Sequence, residues 1–297
     1  MKKKTILIAG GSGMIGSALV QSLGSAYNIS ILTRKKASID NTHSFYWNPD
    51  NSEIDDNAIL NADIIINLTG ENIGAKRWTT LRKKVLIDSR MKATKLLLDS
   101  ISRIKKPELY ISASAIGYYG HKGDRKLYET DLPDDSFLSQ VCKQWEKPLE
   151  NIDSFRKIII RIGIVLASQG GMLKEILTPT KWGINVYFGS GKQYISWIHI
   201  QDLCSLIQYS IENPHVSGVY NAVAPNTVNA LDFATTLQKS LERKLFTIRI
   251  PTFVTQIILG KQSELMLSSQ NVRCVKIQKA GFRFEYSQID KALENLL

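Results

Sequence analysis

The 297-residue sequence predicts an α/β protein built on a doubly wound parallel sheet, with a smaller C-terminal lobe for substrate. Three observations carry this expectation. Short β-branched runs alternate with longer amphipathic stretches through the first half of the chain. A cluster of glycines stands between the first such run and the first amphipathic stretch. The alternation weakens after residue 165, where Gly170-Gly171, Gly183, Gly189 and Gly191 punctuate a stretch expected to be rich in loop.

The runs at Thr5 to Ala9, Asn28 to Thr33, Asp63 to Leu68, Leu109 to Ser112 and Lys157 to Ile162 have the length and composition of strands buried on both faces. Helices are expected over Met14 to Leu23, Thr79 to Arg103 and Phe137 to Ile152. In the second of these Leu81, Val85, Ile87, Met91, Leu96, Leu97 and Ile101 supply an apolar face, and Pro107 closes the connection after it. Val219 to Ala222 has the pattern of a further buried strand, Leu231 to Leu241 of a helix, Phe282 to Tyr286 of an aromatic strand and Ser287 to Leu296 of a closing helix. The expected division is a dinucleotide-binding domain over 1–165, with a strand returning to it near 196–224, and a substrate lobe formed by 166–195 and 225–297.

Composition narrows the function. No apolar run approaches the roughly 20 residues of a membrane span. The apolar run after Lys2-Lys3-Lys4 breaks at Gly10-Gly11, too early for a secretory signal. Cys142, Cys204 and Cys274 lack CxxC spacing and fit a reducing cytoplasm. The four histidines are too scattered for a helical zinc site. A formal charge of +11 invites a nucleic-acid reading, but the positive residues are dispersed and do not alternate with aromatics. A phosphorylated cofactor is a simpler use for part of that charge.

The glycine cluster makes that use concrete. Gly10-Gly11-Ser12-Gly13-Met14-Ile15-Gly16 follows a strand and opens a helix, the context in which such spacing signals a Rossmann-type dinucleotide site. Gly10 permits the sharp turn, Gly13 leaves room for a pyrophosphate, and Gly16 lets the helix pack closely. The helix N-terminus offers free N–H groups and partial positive charge. An acid at the end of the second strand would bind the ribose hydroxyl of NAD. Here stand Leu32-Thr33-Arg34-Lys35-Lys36, so Thr33 and Arg34 point to NADP over NAD, with a solvated basic loop as the bland alternative.

Beyond these features the sequence resembles an extended short-chain dehydrogenase/reductase of the epimerase/dehydratase kind, and within it the epimerase family proteins with their own C-terminal extension. The resemblance runs the whole length. It is carried by Gly10 to Gly16, Asn67-Leu68-Thr69-Gly70-Glu71-Asn72-Ile73, Arg77-Trp78-Thr79, Ser89-Arg90 with Thr94, Ser112 to Gly120 and Trp145-Glu146. Arg161 to Leu166, Ser196 to Asp202, Asn221 to Pro225 and Gly281 to Phe284 continue it. It implies that Leu68, Thr69 and Gly70 pass beneath the cofactor, with Arg90 and Ser112 close by.

The same resemblance exposes a gap. In the wider superfamily a Tyr is the acid/base and a Lys four residues later lowers its pKa, since a phenol near pKa 10 must be pulled toward neutrality to shuttle protons. Counting back from Glu146 puts Leu138 and Cys142 at those positions. Arg90 occupies the place of the supporting Asn, Gly163 that of an Asn that meets nucleotide sugars, and only Ser114 is retained. One reading is a rebuilt site in which Ser114, Tyr118 or Tyr119 donates and Arg90 is the local cation. The other has the serines satisfying backbone groups at a strand end and the tyrosines packing between lobes. Arg77, Trp78, Trp197 and His199 are the substrate-side candidates, because Trp and Arg suit flat or anionic ligands. Core roles for Trp197 and His199 compete with that.

The expected function is therefore an NADP-dependent oxidoreductase or epimerase-like enzyme acting on a carbonyl, hydroxyl or nucleotide-sugar-like substrate. The alternative is an NADP(H)-binding sensor that has lost hydride chemistry. The expected partner is a small molecule, with neither membrane nor nucleic acid, and a homodimer is open to it.

Overall fold

The computed structural model describes residues 3–35 and 43–297. Lys36, the last residue of the basic run, lies outside them. The elements up to the first crossover are β1 (Thr5–Ala9), α1 (Met14–Leu23), β2 (Asn28–Thr33), β3 (His43–Asn48), β4 (Glu53–Ile54), α2 (Asp56–Leu60), β5 (Ile64–Asn67) and α3 (Thr80–Arg103). Then come β6 (Leu109–Ala115), β7 (Lys126–Leu127), α4 (Phe137–Glu146), β8 (Arg156–Ile162), β9 (Ile164–Leu166), α5 (Gly171–Thr180), β10 (Ile184–Phe188), β11 (Tyr194–Ile195) and β12 (Trp197–His199). The remainder is α6 (Ile200–Glu212), β13 (Gly218–Ala222), β14 (Val228–Asn229), α7 (Ala230–Ser240), β15 (Phe246–Ile250), α8 (Thr252–Leu259), α9 (Glu264–Leu267), β16 (Asn271–Val272), α10 (Val275–Lys279) and α11 (Ile289–Leu296).

Eight strands form one sheet in the order β13-β8-β6-β5-β1-β2-β3-β4, parallel throughout except for β4. The strand order reverses between β1 and β5, which opens a crevice at the carboxyl ends of the strands. The continuous apolar runs follow from burial on both faces. In β1, Ile6 and Ile8 join the core under α1 and α6, while Leu7 and Ala9 join the opposite core with Ala93, Leu96 and Leu97 of α3. A third core of Leu173, Trp197, Phe233, Leu237, Ile289 and Leu293 is built from segments that follow β8.

Three expectations need correction. Phe282 to Tyr286 is not a strand. It is pinned instead by the buried Asp202 carboxylate, which accepts from the Glu285 and Tyr286 N–H groups at 2.8 and 2.9 Å. The stretch expected as loop after Gly170 contains α5 and β10, and β10 pairs in parallel with the distant β15. The helix expected to run from Phe137 to Ile152 ends at Glu146, where Pro148 diverts it into a 3₁₀ turn.

Candidate cofactor cleft and apolar cavity

The glycine turn has two kinds of glycine. Gly10 has φ +86°, and a Cβ there would lie 3.0 Å from the Leu68 carbonyl carbon. At Gly16 a Cβ would sit 2.2 Å from the Gly10 oxygen, so α1 can dock on the turn only without one. Gly13 differs. Its backbone is ordinarily extended, at φ −78° and ψ 171°, and a Cβ would meet only the Gly10 oxygen, at an ordinary 3.4 Å. Nothing among the described residues requires glycine at this exposed position. Gly13 is also the N-cap of α1 and makes no side-chain cap, so the N–H groups of the first turn are left for a ligand. A dinucleotide pyrophosphate fits this site. Ser12 is exposed beside it, and Met14 and Ile15 are partly buried.

Asn67, fully buried at the end of β5, shapes the neighbouring wall. Its amide donates to Thr94 Oγ1 and Tyr110 Oη, and its Oδ1 accepts from the Thr69 N–H at 3.1 Å and hydroxyl at 2.5 Å. This turns Leu68-Thr69-Gly70 along the crevice. Arg90 lies under it, where a Cβ on Gly70 would fall 2.8 Å from the guanidinium carbon. At the opposite rim, Gly170 and Gly171 pack on the Met14 thioether. Arg34 is exposed at the end of β2. Asp50, which no motif marks for this place, lies near it. Lys92, bonded at 2.6 Å, and to a lesser degree Arg34 hold the Asp50 carboxyl below its ordinary pKa.

A cavity of about 240 Å³ opens where β6 and β8 end, lined by Ala115, Ile116, Ile162 and Gly163 together with Arg90. Leu138 and Cys142, which occupy the positions of the superfamily's Tyr-Lys pair, are on its wall. Burial pushes the Cys142 thiol up to about 11, so it stays protonated near neutrality. Arg90 stacks on Trp145 at 4.9 Å and donates to the Leu86 and Glu71 carbonyls.

The residues singled out for chemistry lie elsewhere. Ser112 is buried and its hydroxyl turns to the Ala113 carbonyl. Ser114 donates to Glu146 Oε1 at 2.5 Å, Glu146 is paired with Arg161 at 2.7 Å, Arg161 donates to Tyr119 Oη at 3.0 Å, and Tyr119 donates to Asn221 Oδ1 at 2.7 Å. All five side chains are buried. Burial pushes Tyr119 up to about 12, against the pull of Arg161. Tyr118 is partly exposed, covers the Arg161 guanidinium at 3.4 Å, and is also raised, mainly by desolvation. None of the three lines the cavity.

The substrate-side candidates disperse as well. Trp197 is fully buried and donates to the Asn226 carbonyl, and His199 caps α6 through Nδ1 and stacks on Tyr286 at 3.8 Å. Desolvation brings His199 down to about 4, an effect Asn295 opposes. Trp78 is buried, donates to the Ile73 carbonyl and meets Phe137 edge-on, while Arg77 is exposed beside Gly260. The cavity's tyrosines are Tyr187 and Tyr194. They fall in β10 and β11, within the glycine-punctuated stretch, where no periodicity marks them.

The parallel sheet, its reversal point and the glycine turn define a dinucleotide-binding protein of the short-chain dehydrogenase/reductase class. Residues 6–140 match the NAD dependent epimerase/dehydratase family, and residues 250–296 match a domain of unknown function, DUF1731. The chain is 37% identical to the epimerase family protein SAR0825 of Staphylococcus aureus, covering 99% of both, and 33% identical to MT2273 of Mycobacterium tuberculosis, covering 99% of this chain and 97% of that one. It belongs to the epimerase family proteins. Among solved structures it is similar to human epimerase family protein SDR39U1 with NADPH, at TM-score 0.89 and 29% identity over 98% of both chains. It is also similar to a nucleoside-diphosphate sugar epimerase from Corynebacterium glutamicum, at TM-score 0.78 and 29% identity over 98% of this chain and 57% of that one.

Proposed function

We propose that this protein is a cytoplasmic NADP-dependent oxidoreductase of the extended short-chain type, reducing or epimerising a small carbonyl or hydroxyl substrate. The observation that carries it is Gly13, a glycine with no internal cause at an uncapped helix N-terminus. Gly10, Ser12, Gly13, Met14, Ile15 and Gly16 would hold the pyrophosphate. Leu68, Thr69 and Gly70 would lie along the cofactor, and Ser112 and Arg90 would close the wall beneath. Thr33 and Arg34 would meet the 2′-phosphate, a role supported by the basic Arg34-Lys35 pair directly after β2 and by the NADPH of the human relative. The bound cofactor supplies hydride transfer.

In this reading residues 1–165 carry the cofactor, while 166–195 and 225–297 shape the substrate side. Ser114 and Tyr119 hold the buried network together, and the proton comes from a phenol on the cavity wall, Tyr187 or Tyr194. Tyr118 is the remaining sequence candidate.

Calorimetric titration with NADPH and NADH tests the cofactor assignment. NADPH is expected to bind about tenfold or more tightly than NADH, a difference of about 1.4 kcal/mol, and Arg34→Glu to abolish that preference. Equal affinity for the two would remove the assignment to NADP, and no affinity for either would remove the function. Turnover of NADPH is expected to fall with Tyr187→Phe or Tyr194→Phe more than with Tyr118→Phe. Binding without turnover on any carbonyl would instead support a sensor.

A further inference from the structure

Nucleotide sugars carry a diphosphate, and a buried site for one needs cations or free amides. Among the described residues lining the cavity, Arg90 is the sole cation and Glu264 the sole acid, so the lining has no net formal charge. Its wall is otherwise dominated by side chains such as Leu138, Val141, Trp145, Ile164, Met172 and Phe233. Three of the polar side chains among them are turned on the protein itself. Gln193 donates to the Phe188 and Met266 carbonyls, Gln270 to the Ile116 carbonyl, and Ser196 to the Gln270 carbonyl.

Arg90 differs from these three. A guanidinium has five N–H donors, and among the described residues Arg90 makes two hydrogen bonds, both to carbonyls, and no ion pair. It stands at the junction of the cavity with the Leu68-Thr69-Gly70 wall of the crevice. A partly desolvated cation with donors to spare, facing an apolar chamber, suits a neutral ligand with one oxygen acceptor and an apolar body. Met172 and Met266 let such a chamber adapt to the shape of that body.

We infer that the cavity takes a compact, largely apolar carbonyl compound, an aryl or alicyclic ketone or aldehyde whose oxygen accepts from Arg90, and not a nucleotide sugar. This names the substrate class of the proposed enzyme and rests on that reading for the reaction, though not for the binding.

The test is calorimetric titration of the full chain with 2-tetralone and with UDP-glucose, each with and without saturating NADPH, beside a titration with NADPH alone. 2-Tetralone is expected to bind about tenfold or more tightly than UDP-glucose. Arg90→Gln should weaken 2-tetralone about fivefold, and Val141→Asp should weaken it about tenfold while leaving UDP-glucose unchanged. Met172→Ala, a milder change, provides the same comparison if the aspartate variant unfolds. Tighter or equal binding of UDP-glucose overturns the inference, as does failure of 2-tetralone to bind in either state. Loss of NADPH binding with the 2-tetralone preference intact would strike the cofactor reading and leave this one standing.

Discussion

The turn from Gly10 to Gly16 and the segment from Ser112 to Gly120 both carry the family's signature, yet they do opposite things with their polar groups. The turn leaves the first N–H groups of α1 without a side-chain cap, at an exposed glycine that no internal contact demands. The second segment turns inward, with Ser114 and Tyr119 tied through Glu146 and Arg161 to Asn221. A polar side chain marks a ligand site when its hydrogen-bonding capacity is open, and marks architecture when that capacity is already engaged. By this criterion Arg90, which the sequence offers as a neighbour of the cofactor and a local cation, gains weight as Ser114 loses it.

The largest effect that would break the contrast lies within the turn. Gly16→Val should prevent α1 from docking on Gly10, because the 2.2 Å approach is to backbone oxygen that cannot move aside. A loss of 4 kcal/mol or more, on the order of the severest single substitutions, is expected in denaturant unfolding. A fully stable Gly16→Val protein would mean the turn is more pliant than its geometry implies.

Glu146→Gln comes next. It strands the Arg161 guanidinium, a side chain 4% exposed, without its carboxylate. Removing one member of a buried ion pair costs about 3–5 kcal/mol. If the melting point fell little while NADPH turnover vanished, the network would belong to catalysis and the contrast would fail.

His199 tests the inward-facing architecture through pH. Its folded pKa, about 4, lies below the ordinary value of 6.5 because burial disfavours the charged ring. Between those values the unfolded chain binds more protons, so stability rises with pH there. The contribution is complete above pH 6.5 and is lost as pH falls toward 4, amounting to roughly 2–3 kcal/mol. His199→Asn, measured by unfolding at pH 7 and pH 5, should flatten that slope. An unchanged slope would assign the acid sensitivity to other groups.

These cases also show what a sequence can disclose. β1, α1 and β2 were legible to the residue because each is local, set by β-branched runs, glycine and helical periodicity. The glycine turn between β1 and α1 was legible for the same reason. The cavity was not. Its wall joins Arg90 of α3, Cys142 of α4, Met172 of α5, Tyr194 of β11 and Glu264 of α9, and no spacing along the chain records that meeting. The β10–β15 pair was invisible likewise, as its partners stand more than fifty residues apart. His199 and Trp197 were visible as unusual residues, but whether each faced a ligand or a neighbour depended on Tyr286 and Asn226, which arrive from later segments.

The smallest expected effect on stability is also the sharpest discriminator. Gly13→Ser places a hydroxyl at the N-cap of α1, where serine accepts from the helix's own first-turn N–H groups, and relative to glycine this is worth a few tenths of a kcal/mol. The backbone at Gly13 is already extended as an N-cap requires, so no strain opposes the change. The same hydroxyl closes the concavity that the cofactor reading gives to phosphate and takes up an N–H that would face it. Folding stability and NADPH affinity should therefore move in opposite directions, with unfolding slightly harder and the dissociation constant raised about tenfold. A structural turn has no reason to separate the two quantities. If Gly13→Ser bound NADPH as well as the parent chain, the open N-terminus of α1 would not be what holds the pyrophosphate, and the turn would rank with the inward-facing segment after all.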